Sequence, residues 1–317
     1  MVFKRLGGMV QSIFKRMGGM AQLIFKRRKE RKRKGVSRLI SKSRKEKKRK
    51  DVAPLIFKRR KERKRKGVSR VRIGPKKSRI IGIFSCKGGV GKTTTAVNLA
   101  WFLSEKNRGN TILVEANLTA PNVGIHLGGV DFAVTMHDVL AGRVPIEKAI
   151  RVKGILHFIP GSIAVSEEIH LVDIKSVLEP LKKRYKYIIL DSAPGLGPEV
   201  IAAIKASDEL LVITNPEIPT IATTLRTFRA AERYNIRIRG VVVNKVRGKK
   251  YEVPISEVRK TLKWPITAVV PDDDKVRESM TAGTPVIYSN PHSPAAKKFN
   301  ELGERLLAEW TGHRRRL

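Results

Sequence analysis

Ile80-Ile81-Gly82-Ile83-Phe84-Ser85-Cys86-Lys87-Gly88-Gly89-Val90-Gly91-Lys92-Thr93-Thr94 is the stretch on which the reading of this chain turns. Residues 80–84 are apolar and rich in isoleucine, the pattern of a buried strand. Thr95-Ala96-Val97-Asn98-Leu99-Ala100-Trp101-Phe102-Leu103 reads as a helix. Between them lies a glycine-rich turn, and Gly91-Lys92-Thr93 opens the helix. That order of elements is the context a phosphate-binding loop requires. The glycines let backbone N–H groups close around phosphate oxygens. The helix N-terminus adds about half a positive charge. The predicted nucleotide-binding residues are Gly88, Gly89, Val90, Gly91, Lys92, Thr93 and Thr94. Lys92 is placed to reach the β- and γ-phosphates, and the Thr93 hydroxyl to ligate Mg²⁺.

Downstream, strand-like and helix-like segments alternate, which predicts a parallel α/β sheet. Strands are expected at 111–114, 155–161, 187–190, 209–214, 240–245 and 266–270. Helical segments are expected over roughly 134–150, 169–184, 219–233 and 294–310. Tyr187-Ile188-Ile189-Leu190 ends in Asp191. An apolar strand ending in aspartate, after a P-loop, has the pattern of a Walker B site, where Asp191 holds Mg²⁺ through a water. Such an ending alone is weak, because the same aspartate also suits a helix N-cap; the P-loop makes it specific. The loop Ala193-Pro194-Gly195-Leu196-Gly197 behind it is of the kind that changes shape with a γ-phosphate.

Lys87 is a second lysine, at the start of the loop, where an ordinary P-loop has one. Lys87-Gly88-Gly89-Val90-Gly91-Lys92-Thr93-Thr94 resembles the deviant Walker A motif of the MinD/ParA family of dimeric ATPases. Asp191-Ser192-Ala193-Pro194-Gly195 is similar to the switch II segment of MinD proteins, and Thr214-Asn215-Pro216-Glu217 to a turn they carry. Pro285-Val286-Ile287 and the closing helix also match that layout, so the resemblance spans residues 79–309. It implies a doubly wound, mostly parallel sheet flanked by helices, with ATP and Mg²⁺ as cofactors and ATP hydrolysis as the activity. It implies a homodimer closed by ATP, in which Lys87 reaches the partner's nucleotide. It also implies that Asn244 reads the adenine edge and that Pro271, opening the loop Pro271-Asp272-Asp273-Asp274, lies near the base. The plainer alternatives are a solvated charge for Lys87 and turn chemistry for Asn244.

Two departures matter. The family's loop after the second strand carries Asp-x-Asp; here the positions hold Glu115 and Asn117. The resemblance gives the second position the task of positioning the attacking water. Asn117 keeps the shape and loses the charge, so hydrolysis is expected to be slow and the ATP-bound dimer long-lived, unless Glu115 compensates. Lys87, Lys92 and Asn117 are the expected catalytic residues. MinD proteins also end in an amphipathic targeting helix, and Trp310–Leu317 is too short for one.

Charge divides the chain. Its 317 residues include 67 Lys/Arg and 28 Asp/Glu, a net of +39. Residues 1–79 hold 33 basic and 4 acidic residues, a net of +29, and the remainder carries +10. Residues 1–78 therefore read as a basic, low-complexity tail and residues 79–317 as the ATPase domain. Val2-Phe3-Lys4-Arg5-Leu6-Gly7-Gly8-Met9 is echoed by Ile13-Phe14-Lys15-Arg16-Met17-Gly18-Gly19-Met20, 11 residues on, and a third copy starts at Ile24. Over 2–25 this puts Phe, Met and Leu in one stripe beside Lys and Arg, which suits a membrane interface. The Gly pairs weaken such a helix by roughly 1 kcal/mol per glycine, so it is expected to order only on binding. Ile24–Arg38 recurs identically at Ile56–Arg70. These blocks of like charge repel one another and bury no core.

Strong positive charge implies an anionic partner. Three readings stay open for the tail: a solubilising segment, a nucleic-acid (DNA or RNA) binder, and a binder of anionic membrane. The apolar stripe favours the last. The six histidines lack metal-site spacing, and no Ser/His/Asp arrangement stands out. The single cysteine, Cys86, excludes a disulfide or cysteine metal site within one chain and fits a reducing interior. No apolar run reaches ~18 residues, and the N-terminus is a poor secretory signal. The expected location is cytoplasmic, peripheral on the inner face of the cell membrane. The expected function is a MinD-like switch for spatial regulation, such as division-site placement, stimulated by an unidentified activating protein. The alternative is a ParA-like ATPase that binds DNA non-specifically for partitioning or positioning.

Overall fold

The computed structural model describes residues 78–163 and 173–312. The tail, its amphipathic stretch at 2–25, residues 169–172 of one expected helix and residues 313–317 lie outside the described residues. Eight strands form one sheet: β1 (Arg79–Phe84), β2 (Thr111–Ala116), β3 (Arg151–Lys153), β4 (Leu156–Ile159), β5 (Tyr187–Ser192), β6 (Glu209–Thr214), β7 (Arg237–Val246) and β8 (Ile266–Pro271). Their order is β3-β4-β2-β5-β1-β6-β7-β8. Every neighbouring pair is parallel except β3–β4. The helices are α1 (Lys92–Lys106), α2 (Val123–His126), α3 (Met136–Leu140), α4 (Ile174–Lys182), α5 (Pro198–Ala206), α6 (Ile218–Arg233), α7 (Ile255–Leu262), α8 (Asp274–Thr281), α9 (Val286–Ser289) and α10 (Pro294–Thr311).

The central strands are apolar on both faces because both faces are covered. In β1, Ile80 and Phe84 join a core with Leu178 of α4, Val200 and Ile204 of α5, Phe228 of α6 and Val258 of α7. Ile81 and Ile83 join the opposite core with Leu99 and Phe102 of α1 and Phe299 and Leu302 of α10. Each such side chain contributes about 1.5–3 kcal/mol when buried, so neither face is stable uncovered. Gly303 lets α10 close on α1: a Cβ there would lie 2.3 Å from the Phe102 ring. This is the expected doubly wound, mostly parallel sheet flanked by helices.

Six elements were not read from the sequence: β3, α2, α5, α7, α8 and α9. β3 is three residues long and has no apolar run. α2 is a single turn, Val123–His126, that follows the loop after β2. α7 and α8 are polar outside, with few buried residues each. Among described residues, α4 starts only at Ile174, after Asp173 caps the Lys175 N–H.

β1 is central, and the chain leaves it for β2 on one side and reaches β6 on the other. That reversal opens a crevice beyond the carboxyl ends of the strands. At the opposite, amino ends a buried ion network ties the sheet to α10. Glu209, 1% exposed, accepts from Arg239 and from the Trp310 indole. Arg79 lies 3.5 Å from the same carboxylate and over the Trp310 ring. Replacing Glu209 by Ala leaves Arg239 without its best partner in a buried setting. The expected loss is about 3–5 kcal/mol, measured as a shift in the urea midpoint with an unchanged slope.

Candidate functional site

The crevice is where residues 86–94 run from β1 into α1. Gly89 and Gly91 hold φ of 73° and 99°, the left-handed region open to glycine, and Gly91 is the N-cap of α1. The backbone therefore curls with its amides inward, as the glycine spacing predicts. Asn244, buried at the end of β7, donates its Nδ2 to the Val90 carbonyl at 2.8 Å. A Cβ on Gly91 would lie 2.1 Å from that nitrogen. Lys245, with φ of 58°, donates to the Gly89 carbonyl at 2.7 Å. β7 thus buttresses the loop from outside, a role for Asn244 that the sequence did not disclose alongside the expected adenine contact.

Three charged side chains converge beneath the loop. Lys92 is buried, its Nζ 3.4 Å from the Lys87 carbonyl. Burial pulls its pKa down, opposed by Asp191 and Cys86 nearby. Asp191, at 0% exposure, has no hydrogen-bond partner in normal geometry on either oxygen. Burial pushes its pKa up to about 7, against the pull of the Thr93 hydroxyl and the Lys92 ammonium close by. Glu115 sits opposite Asp191 in the β2–β5 register and is also fully buried. Burial and the Asp191 charge raise its pKa well above the usual range, while backbone N–H groups lower it. Those N–H groups belong to Asn117, Asn122 and Val123, at 3.1, 2.7 and 2.8 Å. Glu115 accordingly shapes the turn into α2.

A divalent cation fits this site. Thr93 and Asp191 are the residues that would hold it. The buried Asp191 carboxylate beside Glu115, with neither oxygen in a hydrogen bond of normal geometry, is a ligand that a cation would satisfy. Among the described residues no three His, Cys, Asp or Glu cluster as a metal cage. A cation here would complete its shell with phosphate and water, which is how Mg²⁺ binds.

The other expected residues fall around the same crevice. Asn117 is 5% exposed, and both ends of its amide are engaged with the backbone of Ala120. Lys87 is half exposed and points to α6: its Nζ is 2.8 Å from Glu217 and 2.9 Å from Thr220. The Lys87 ammonium holds the Glu217 carboxyl below the usual range. The switch loop touches the P-loop through Gly195 N–H and the Cys86 carbonyl, 2.9 Å. Pro271 closes β8, half-buried, and the loop after it is braced by Asp272 with Arg247 and Arg277. Sequence reading missed Lys245, Glu217 and Thr220 as P-loop neighbours. Only Glu217 carried a signal, as part of a quoted turn.

A histidine also positions the Asn117 loop. His137 of α3 is 2% exposed. Its Nδ1 accepts from the Ser162 N–H at 3.0 Å, so its proton is on Nε2, 3.0 Å from the Leu118 carbonyl. Burial lowers its pKa below 6.5.

Strand, phosphate cradle, buried lysine and acidic strand end together define a P-loop nucleotide-binding protein. The AAA domain family profile matches residues 78–237. The chain is 32% identical to the septum site-determining protein MinD of Thermotoga maritima over 241 residues, covering 73% of this chain and 88% of that protein. MinD of Pyrococcus horikoshii, solved with Mg-ADP, superposes with a TM-score of 0.69 at 30% identity, covering 76% of this chain and all of that one. The MinC:MinD complex of Aquifex aeolicus gives 0.65 at 26% identity, covering 73% and 96%. The chain belongs to the MinD/ParA family of ATPases, and its cofactors are ATP and Mg²⁺.

Two outcomes follow from this geometry. Gly91→Ala combines a clash with Asn244 and a disfavoured φ; it is expected to weaken binding of a fluorescent ATP analogue by about tenfold or more. His137 contributes its stability fully above pH 6.5, and loses it as pH falls through its lowered folded value. Asp191, with its pKa raised to about 7, contributes with the opposite sign, so the test is a difference: the thermal midpoint of the wild type is expected to fall relative to that of His137→Phe between pH 7.5 and 5.5.

Proposed function

We propose that the chain is an ATP-dependent dimeric switch that binds an anionic membrane surface through residues 1–78 and serves spatial regulation such as division-site placement. The observation that carries the switch is Lys87. It stands at the mouth of the P-loop, half exposed, held by Glu217 and Thr220. A lysine used only to bind its own chain's nucleotide has no reason to sit on this rim; one that completes a partner's site does. The net charge of +29 over residues 1–79, with the apolar stripe at 2–25, supports the membrane.

In this reading the backbone amides of residues 88–94 and the Lys92 ammonium hold the phosphates. Thr93 and Asp191 would hold Mg²⁺, which would supply charge neutralisation at the phosphates. Asn117 orients the attacking water without accepting its proton, and Lys87 stabilises charge across the dimer. Asn244 and Pro271 border the adenine. Two chains closing on ATP double the number of tails, so surface affinity rises through avidity. That MinD is found with MinC in Aquifex aeolicus supports a protein partner that reads or stimulates the ATP state. The protein works at the cytoplasmic face of the membrane. No helix among the described residues is long and apolar enough to cross it.

The test compares co-sedimentation with phosphatidylglycerol vesicles and DNA mobility shift, each with ATP and ADP. Lipid binding that needs ATP and is lost in Lys87→Ala supports the switch. DNA binding steep in salt, with no lipid affinity, favours ParA-like partitioning instead. Asn117→Asp is expected to speed ATP turnover about tenfold or more, as a positioned base does; no change would refute the slow-hydrolysis role.

A further inference from the structure

The amino ends of the parallel strands carry a second surface. The described chain begins there, at Ser78 before β1, and ends there, where Trp310 meets Glu209 at the start of β6. At the same end stand Arg108 before β2, Lys153 at the end of β3, Arg184 and Lys186 before β5, Arg237 opening β7 and Lys263 before β8. None of these six has a carboxylate partner among the described residues. Three acidic groups at this end have other partners. Asp208 accepts the Ile80 N–H, Glu209 is buried against Arg239, and Glu309 pairs with Arg239 and Arg305.

The turn joining β3 to β4 adds apolar surface at this end. Val152 is 60% exposed and Ile155 41%, on either side of Lys153 and Gly154. Exposed Val and Ile set among unpaired cations do not suit DNA, whose backbone offers nothing to bury them. They suit a bilayer, where the apolar groups enter the interface and the cations meet lipid phosphates. The sequences that continue from this end are the basic 1–77 and the Arg314-Arg315-Arg316 run.

We propose that the amino-end face of the sheet, from the 152–155 turn across to Lys263, is itself a docking surface for an anionic lipid bilayer. The face holds the domain against the membrane with its nucleotide crevice turned away. The inference rests on the membrane reading above and goes beyond it, because a tail alone would tether the domain without orienting it.

The experiment labels full-length protein with an environment-sensitive fluorophore at one cysteine in a Cys86→Ala background. Labels go at Ile155→Cys, at Tyr251→Cys beside the crevice, and at Phe14→Cys in the tail. With ATP and phosphatidylglycerol:phosphatidylcholine vesicles, the 155 and 14 labels are expected to shift blue and to be quenched by brominated lipid, and the 251 label to stay in water. Lys153→Glu with Lys186→Glu is expected to lower vesicle affinity about fivefold or more. A shifted 14 label with a silent 155 label overturns the docking face and leaves the tail's membrane binding standing. Silence at both overturns both readings. A 155 label that responds to plasmid DNA and not to vesicles overturns the choice of lipid.

Discussion

Lys92, Asp191 and Glu115 form the constraint on which the rest of the structure depends. Three ionisable groups lie buried at the carboxyl ends of β1, β2 and β5, and they do not cancel one another. Charges in such a place are tolerated only when paired or neutralised. The domain handles this in two ways. It surrounds Glu115 with three backbone N–H donors, and it leaves Asp191, influenced by the Thr93 hydroxyl and the Lys92 ammonium, at a pKa of about 7. A carboxylate so poised exchanges a proton for a cation at little cost. The donor set is therefore one that a divalent cation and phosphate are suited to complete.

The loop above this cluster is held by side chains that no P-loop motif contains. Asn244 and Lys245 both donate to carbonyls of the glycine-rich turn, one to Val90 and one to Gly89. Turning amides inward necessarily turns some carbonyls outward, and these need donors. The end of β7 supplies them. This explains why β7 holds Lys245 at a positive φ, a conformation costly for a residue with a Cβ. Lys87 differs from both: its partners are side chains on α6, and its ion pair with Glu217 is exposed. An exposed pair contributes about 0.2–1 kcal/mol, little enough to be given up for a phosphate.

Much of this was legible because it rests on local pattern. Residues 80–84 and 187–190 could only be strands buried on both faces, and 88–94 only a phosphate cradle. What was hidden depends on through-space contacts. α7 and α8 are eight residues each and bury few side chains, too short a stretch for the pattern to stand out. β3 exists because Val152 pairs with His157, a partner invisible in a three-residue window. Asn117 shows a subtler gap. Sequence comparison points to its missing charge, whereas the structure shows an amide that also shapes its own turn, each end making one bond to Ala120 and keeping one free valence. Likewise His137 carried no motif, yet its position between Leu118 and Ser162 fixes the neighbouring loop.

The layout limits how ATP can govern a surface. β1 carries the phosphate loop at one end and joins residues 1–77 at the other, six residues or about 20 Å away. Between them the strand is almost wholly buried and packed on both faces. Close-packed cores of this kind repack in discrete steps and do not bend smoothly, so β1 is a poor conduit for a graded signal. The switch loop and α6, the elements that touch the P-loop, lie at the carboxyl ends of the strands. In the proposed switch, then, the nucleotide acts on the surface through the number of chains held together. Each closure of two sites brings two tails and two basic faces to bear, and each opening halves them.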